Sequence, residues 1–283
     1  MLIITSLTGL SENLTKKLYL HTQLILMESK FQIHSKFKPY EIEIQSFIDN
    51  FNNQGQTIYK GSRNELKCDV IKDISVNIKR FQIPNLVNQF AYRWIRSSKA
   101  KRSFTYANTL LERNVNTPDP IAYQENYSFL GLLNSYYISI QQDYDFTFRE
   151  LTYQPDFPDR EKIIRDFTRF TYHFQEKGIF FIDHSPGNTL IKKRNGKYKF
   201  YLVDLNRMKF KNLSFYDRIK NFARLTPDRE IYVVIADEFA KITNKNSIEI
   251  LDLMWEEVKI ARKKMEKKQA FKKKLRLKKS NYQ

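Results

Sequence analysis

The segment from Gly178 to Phe210, GIFFIDHSPGNTLIKKRNGKYKFYLVDLNRMKF, constrains the fold more than any other stretch of the chain. An apolar run leads to Asp183, and Asn188 follows five residues later. A charged hairpin comes next, Lys192 to Lys199, with Asn195-Gly196 at its tip. That dipeptide suits the left-handed backbone of a two-residue β-turn. The apolar strand Phe200 to Val203 then ends on Asp204. Two carboxylates and an amide therefore stand at the borders of one hairpin, and Pro186-Gly187 has the turn chemistry to bring Asn188 back toward Asp204. A carboxylate can orient a hydroxyl and take its proton. An amide and a second carboxylate offer the oxygen ligands that magnesium prefers. Asp183 is the candidate base, and Asn188 with Asp204 the candidate metal pair. Each alone could equally cap a turn or end a strand; their order carries the information.

The context of this segment adds weight. Pro158 to Lys177 reads as a helix delivering the chain to Asp183, with Ile163, Ile164, Phe167, Phe170 and Phe174 on one face. Pro158, Asp159 and Glu161 suit its first turn, and Lys177-Gly178 its end. Upstream, Pro39 to Asn52 has helical spacing. Thr57 to Lys60, Leu66 to Ile71 and Ser75 to Phe81 then read as three strands. Lys79 on the third strand is a candidate to pair with phosphates, and the turn at Gly61, Ser62, Arg63 and Asn64 is a candidate phosphate cover, though it holds a single glycine. Ala91 to Arg113 is helical, ended by Thr117-Pro118-Asp119-Pro120. Strands follow at Ile121 to Tyr123, Leu130 to Leu133 and Tyr136 to Ile140, and Gln141 to Asp145 is a polar crossing suited to a hinge. Helices over Tyr216 to Leu225, Ile231 to Ile242 and from Ser247 onward complete the chain. A base, four residues, an amide, and an acid beyond a later strand is the layout of protein kinases and their relatives. The expected fold is α+β and bilobal, protein-kinase-like, with a small β-rich N-lobe over 39–142, a mostly helical C-lobe over 143–258, and a basic helical tail over 259–283.

Composition narrows the alternatives. A single cysteine, Cys68, excludes an intramolecular disulfide and a multi-cysteine zinc site, and fits a reducing compartment. The four histidines, His21, His34, His173 and His184, are scattered, and His184 reads as a loop residue or a donor behind the site. The net charge of +18 is uneven: Lys259 to Lys279 holds twelve Lys or Arg against Glu266 alone, which leaves +7 elsewhere. No apolar run reaches the ~18–20 residues that span a bilayer. Residues 1–38 read as an N-terminal extension, amphipathic over 1–26, and Met27 is an alternative start.

Several of these pieces together resemble the lipopolysaccharide kinase (Kdo/WaaP) family: GSRNELK at 61–67, the Lys79 strand, SSKAKRS at 97–103, NTPDPIAY at 116–123, DHSPGNTLI at 183–191 and LVDLNRM at 202–208. The resemblance covers roughly residues 40–260. It implies a protein-kinase-like fold, use of ATP and magnesium, and a sugar hydroxyl of the lipopolysaccharide inner core (Kdo or heptose) as acceptor. It further implies work at the cytoplasmic face of a Gram-negative inner membrane. By position, Asp183 would be the base, Asn188 and Asp204 the metal ligands, and Lys79 the phosphate lysine. Two departures stand out. Phe181 occupies the place where such kinases carry His, and Thr105 the place of the helix Glu that pairs with the lysine; Glu112, two turns on, is the possible substitute.

These departures leave a second reading, a kinase-fold protein with impaired catalysis that binds a nucleotide or a partner. A third is a kinase-like enzyme with a protein or small-metabolite acceptor. The tail, basic with interspersed Ile260, Met265 and Phe271, suits an anionic membrane surface or nucleic acid phosphates. A lipid-linked acceptor favours the membrane.

Overall fold

The computed structural model describes residues 28–280, and for 272–280 the backbone only. The expectations for residues 1–26 and for Met27 lie outside the described residues. The chain divides into two compact units: one runs to Asn108 and takes in Asp119–Gln141, the other holds Thr109–Pro118 and everything from Gln142.

The first unit is built on one antiparallel sheet. Its strands are β1 (Glu28–Ile33), β2 (Gln56–Lys60), β3 (Asn64–Ile71), β4 (Ile74–Phe81), β5 (Pro120–Ser128) and β6 (Gly131–Ile140), in the order β1-β5-β6-β4-β3-β2. Residues 28–33, assigned from sequence to the extension, are thus the edge strand beside β5. Alternation along β4 sends Val76 and Ile78 to one face, where Ile44, Phe47 and Ile48 of helix α1 (Glu41–Asp49) pack with Phe51. The opposite face carries Lys79 and Phe81, and Phe81 packs against Ala100, Phe104 and Tyr123. The single helix expected over 91–113 is two: α2 (Leu86–Trp94) and α3 (Lys99–Glu112). Ser98 starts the second, its hydroxyl accepting from the Lys101 amide at 3.0 Å, a polar N-cap that breaks the first periodicity. The three short strands expected over 121–140 are one hairpin, β5 and β6, that turns at Phe129-Leu130. Its pairing shifts register twice, and this hides the strand period.

The second unit starts with β7 (Phe146–Thr147) and α4 (Phe148–Tyr153), followed by α5 (Arg160–Glu176). Ile163, Ile164, Phe167 and Phe174 of α5 are fully buried. Its outer side holds Arg165 and Arg169, which pair with Asp237 and Glu238 of α7 (Arg229–Thr243). Asp159 does not charge the first turn of α5. It has left-handed backbone (φ 58°) and receives the Tyr198 hydroxyl at 2.6 Å and Lys193 Nζ at 3.1 Å, which hold its carboxyl below the usual range. Then come β8 (Ile179–Phe181), the hairpin β9 (Thr189–Arg194) and β10 (Lys197–Leu202), β11 (Met208–Phe210) and α6 (Phe215–Asn221). Gly178 (φ 70°) ends α5 in the left-handed region, where a Cβ would lie 3.0 Å from the carbonyl of Lys211, the residue just past β11. Helix α8 (Ser247–Ser280) is continuous: its start buries Ile250, Met254 and Val258 in the core, and its continuation carries the basic stretch. Among the described residues no helix is long and apolar enough to cross a membrane.

Candidate active site

Hairpin register brings the three site residues of the second unit together. Asn195 (φ 49°) and Gly196 (φ 71°) make the two-residue tip, so Lys197 faces Arg194 and, at the base, Leu202 faces Thr189. One step below that last pair, the Val203 amide donates to the Asn188 carbonyl at 3.0 Å. The residue after Val203 is Asp204. Across the same base, the Asn188 side-chain amide donates to the Asp183 carbonyl at 2.8 Å. Asn188 therefore ties the loop of Asp183 to the strand end of Asp204, and its Oδ1 remains as the oxygen able to serve as a ligand. The tight turn comes from Pro186–Asn188, a single 3-10 turn closed by the Asn188 amide on the Ser185 carbonyl at 2.9 Å.

Asp204 is one of few non-glycine residues with left-handed backbone (φ 58°), and Asn206 donates to its Oδ1 at 2.7 Å. Behind the hairpin, Thr117 Oγ1 donates to the Leu202 carbonyl at 2.7 Å and the Leu202 amide to the Asn116 carbonyl at 3.0 Å. The Asn-Thr-Pro segment thus clamps the strand that presents Asp204. On the other side, Met208 pairs with Phe181, so β11 leaves the site alongside the strand that enters it.

The loop before Asn188 is braced from α6. Asn221 donates to the Phe181 carbonyl at 2.6 Å, and His184 Nδ1 lies 3.3 Å from the Asn221 carbonyl as donor. His184 is buried, stacked on Phe167 and Phe181, and this burial lowers its pKa to about 4. It is a neutral structural group in an aromatic core. Phe181, at the position where the resemblance implies His, forms one wall of that core, and the polar bracing comes from His184 and Asn221.

Asp183 is not left to itself. Arg224 Nη1 reaches its Oδ1 at 2.7 Å and Arg207 Nη1 its Oδ2 at 3.3 Å. A further cation, Arg149 of α4, lies over Gly187, where a Cβ would come within 2.6 Å of its guanidinium. None of the three is marked by the sequence: Arg207 stands inside LVDLNRM but an arginine there carries no signature, and Arg149 and Arg224 come from segments outside the hairpin.

In the first unit, Lys79 sits centrally on the sheet, between Leu66 of β3 and Tyr137 of β6, with its ammonium 5.3 Å from the Phe81 ring centre. Lys99, at the start of α3, lies over the same ring at 5.8 Å, a second cation that the sequence did not single out. Gly61, Ser62, Arg63 and Asn64 form the β2–β3 turn, closed by the Gly61 amide on the Asn64 carbonyl at 3.0 Å. Gln82 fastens it by donating to the Gly61 carbonyl at 3.2 Å. The Gly61 amide is thus spent within the turn. Thr105 and Glu112 are both exposed on α3, Thr105 in the first unit and Glu112 in the second.

No family model and no curated protein sequence matches the chain. Among solved structures it is similar to WaaP in complex with acyl carrier protein. The match has 15% identity and a TM-score of 0.55, and covers 84% of this chain and 98% of that one. The fold is accordingly protein-kinase-like, with a β-rich unit and a mostly helical one.

Proposed function

We propose that the chain is a phosphotransferase that uses ATP and magnesium and phosphorylates a sugar hydroxyl of the lipopolysaccharide inner core. The observation that carries this reading is the seam through Asn188, which fixes Asp183 and Asp204 at the base of one hairpin. The donors there fit magnesium, a hard cation satisfied by a few oxygens and water: the Asn188 Oδ1 and the Asp204 carboxylate would hold it. When bound, the ion would neutralise phosphate charge. Asp183 would orient the acceptor hydroxyl and receive its proton on a carboxylate oxygen. Lys79 would bind nucleotide phosphates beneath the turn of Gly61, Ser62, Arg63 and Asn64. Phe181 argues less for the catalytically impaired reading once His184 and Asn221 supply the bracing.

Association with an anionic membrane surface is supported by the first unit as well as by the basic tail. Helix α2 exposes Leu86, Val87, Phe90 and Trp94 by half or more, and Phe129 and Leu130 are exposed on the turn beside it. Gly131 permits this adjacency, because a Cβ there would strike the Gln89 backbone at 2.4 Å. Residues 82–102 carry five Lys or Arg and no acid, so the segment that bears these exposed apolar groups is also cationic.

Magnesium-dependent ATP turnover by the full chain, with Asp183→Ala and Asp204→Ala as comparisons, tests the chemistry. Absence of turnover from a folded wild type in the presence of core sugars counts against it. Mass spectrometry of lipopolysaccharide from cells carrying wild type or Asp183→Ala tests the acceptor, and an unchanged phosphate pattern removes that substrate class.

A further inference from the structure

We infer that the groove flanking Asp183 in the second unit is an acceptor site for a hydroxyl compound that carries its own anionic group, a phosphate or carboxylate. The inference rests on the kinase reading for the word acceptor, but the binding site stands on its own geometry. The groove has a volume of about 300 Å³, the size suited to one sugar-sized head group. Arg207 and Arg224 line it, and these are the two residues that hold the Asp183 carboxylate. Lys220 at the end of α6, and Lys264 and Lys268 from the basic part of α8, also line it.

Five cations thus face a space that contains one acid, Glu257. That acid is already engaged, by the Tyr216 hydroxyl and, at 3.8 Å, by Lys220. Counting Asp183 as well, the surroundings keep a surplus of three positive charges (five minus two). Like charges gathered on a concave surface repel one another and raise the local concentration of anions. A phosphate or carboxylate is met best by guanidinium groups, which bind it bidentately. Between the cations the wall is apolar, including Ile182 from the loop and Met265 from α8, a surface for the body of a sugar ring.

The arrangement also couples binding to the base. Both Asp183 oxygens are occupied by arginine, at 2.7 and 3.3 Å. An anion in the groove competes for the same guanidiniums and draws them away, leaving a carboxylate oxygen to meet the acceptor hydroxyl. A neutral acceptor offers no such exchange. The basic stretch of α8 therefore has a role within the site, as the wall opposite the loop that bears Ile182.

Direct binding to the full chain, measured by calorimetry with a hexose phosphate, a hexuronate and the neutral hexose, tests this without requiring turnover. At least one anionic sugar should bind tenfold or more tightly than the neutral one. Lys264→Gln/Lys268→Gln and, separately, Arg224→Gln should weaken it at least tenfold. Lys263→Gln, on the same helix but off the groove, should not. These lysines are exposed, and circular dichroism of each variant checks that the chain remains folded. Preference for the hexose phosphate alone identifies a phosphate monoester; equal binding of both anions identifies anionic charge in general. Equal affinity for charged and neutral sugars, or wild-type affinity in the groove variants, overturns the inference. Anion binding without ATP turnover would defeat the kinase reading and leave the site; turnover with no anion preference would do the reverse.

Discussion

The hairpin base that holds Asp183, Asn188 and Asp204 and the β2–β3 turn that holds Gly61 to Asn64 are both short polar links between strands, yet they are secured in opposite ways. The first is tied by partners remote in sequence: Asn221 on the Phe181 carbonyl, Thr117 on the Leu202 carbonyl, and His184 set among aromatic rings. The second is tied by its own ends and by Gln82, while Ser62 and Arg63 are exposed. Groups that must meet reacting atoms at fixed distance need a scaffold that cannot relax. A loop that only covers a ligand can be held loosely. The contrast assigns positional precision to the second unit and compliance to the turn of the first.

The strongest way to break that contrast is Asp183→Asn. Turnover should fall by about 10²–10⁴-fold, the usual worth of a positioned base. Thermal stability should barely move, because the two arginines released are a third exposed or more. Turnover within a few-fold of wild type would show that the hairpin base is not the centre of the chemistry.

Acidification probes the aromatic setting of His184. Its folded pKa is lowered to about 4 from an ordinary 6.5. The unfolded chain therefore takes up this proton first, and stability present above pH 6.5 is lost as pH falls toward 4. The shift corresponds to something on the order of 3 kcal/mol. Urea unfolding at pH 7 and pH 4.5 should show a steeper loss for wild type than for His184→Phe; parallel losses would place the imidazole in a wetter environment than its 1% exposure implies.

A smaller effect is expected at Asn221→Ala, about 1–2 kcal/mol, from loss of a buried hydrogen bond to the Phe181 carbonyl, which keeps the His184 amide at 3.2 Å as its other donor. Denaturant midpoints measure the stability term, and a parallel fall in turnover would show that the brace also positions Asp183. Least is expected from Gly61→Ala. The new methyl meets the end of the flexible Tyr59 side chain, which can swing aside. Stability should change by less than about 1 kcal/mol, with the effect appearing in the KM for nucleotide and leaving kcat. A loss as large as that at Asn221 would erase the difference between the two regions.

How much of this was legible in sequence follows the same division. The hairpin base was readable because its parts lie within about twenty residues: Asn195-Gly196 fixes the tip, the tip fixes the register, and the register sets Asn188 beside Val203. The two-unit α+β plan and helix α5 were readable from their periods. Arg149, Arg207, Arg224 and Asn221 were not, since their proximity to Asp183 depends on packing of α4, α6 and β11 that no local pattern encodes. The break between α2 and α3 is not legible because α2 carries large apolar residues on its exposed side and the capping Ser98 stands in a polar, basic run with no proline or glycine to mark it.

Helix α8 adds a constraint on how the chain can change over evolutionary time. A helix of 34 residues is a rod about 50 Å long, and its anchor at Ile250, Met254 and Val258 is phased with the row at Lys264 and Lys268. One residue inserted between Val258 and Lys264 would turn that row by about 100° around the axis while the anchor stayed seated. Substitutions along the exposed side should accumulate freely, whereas insertions and deletions in that interval should be rare among descendants of this chain that retain the groove.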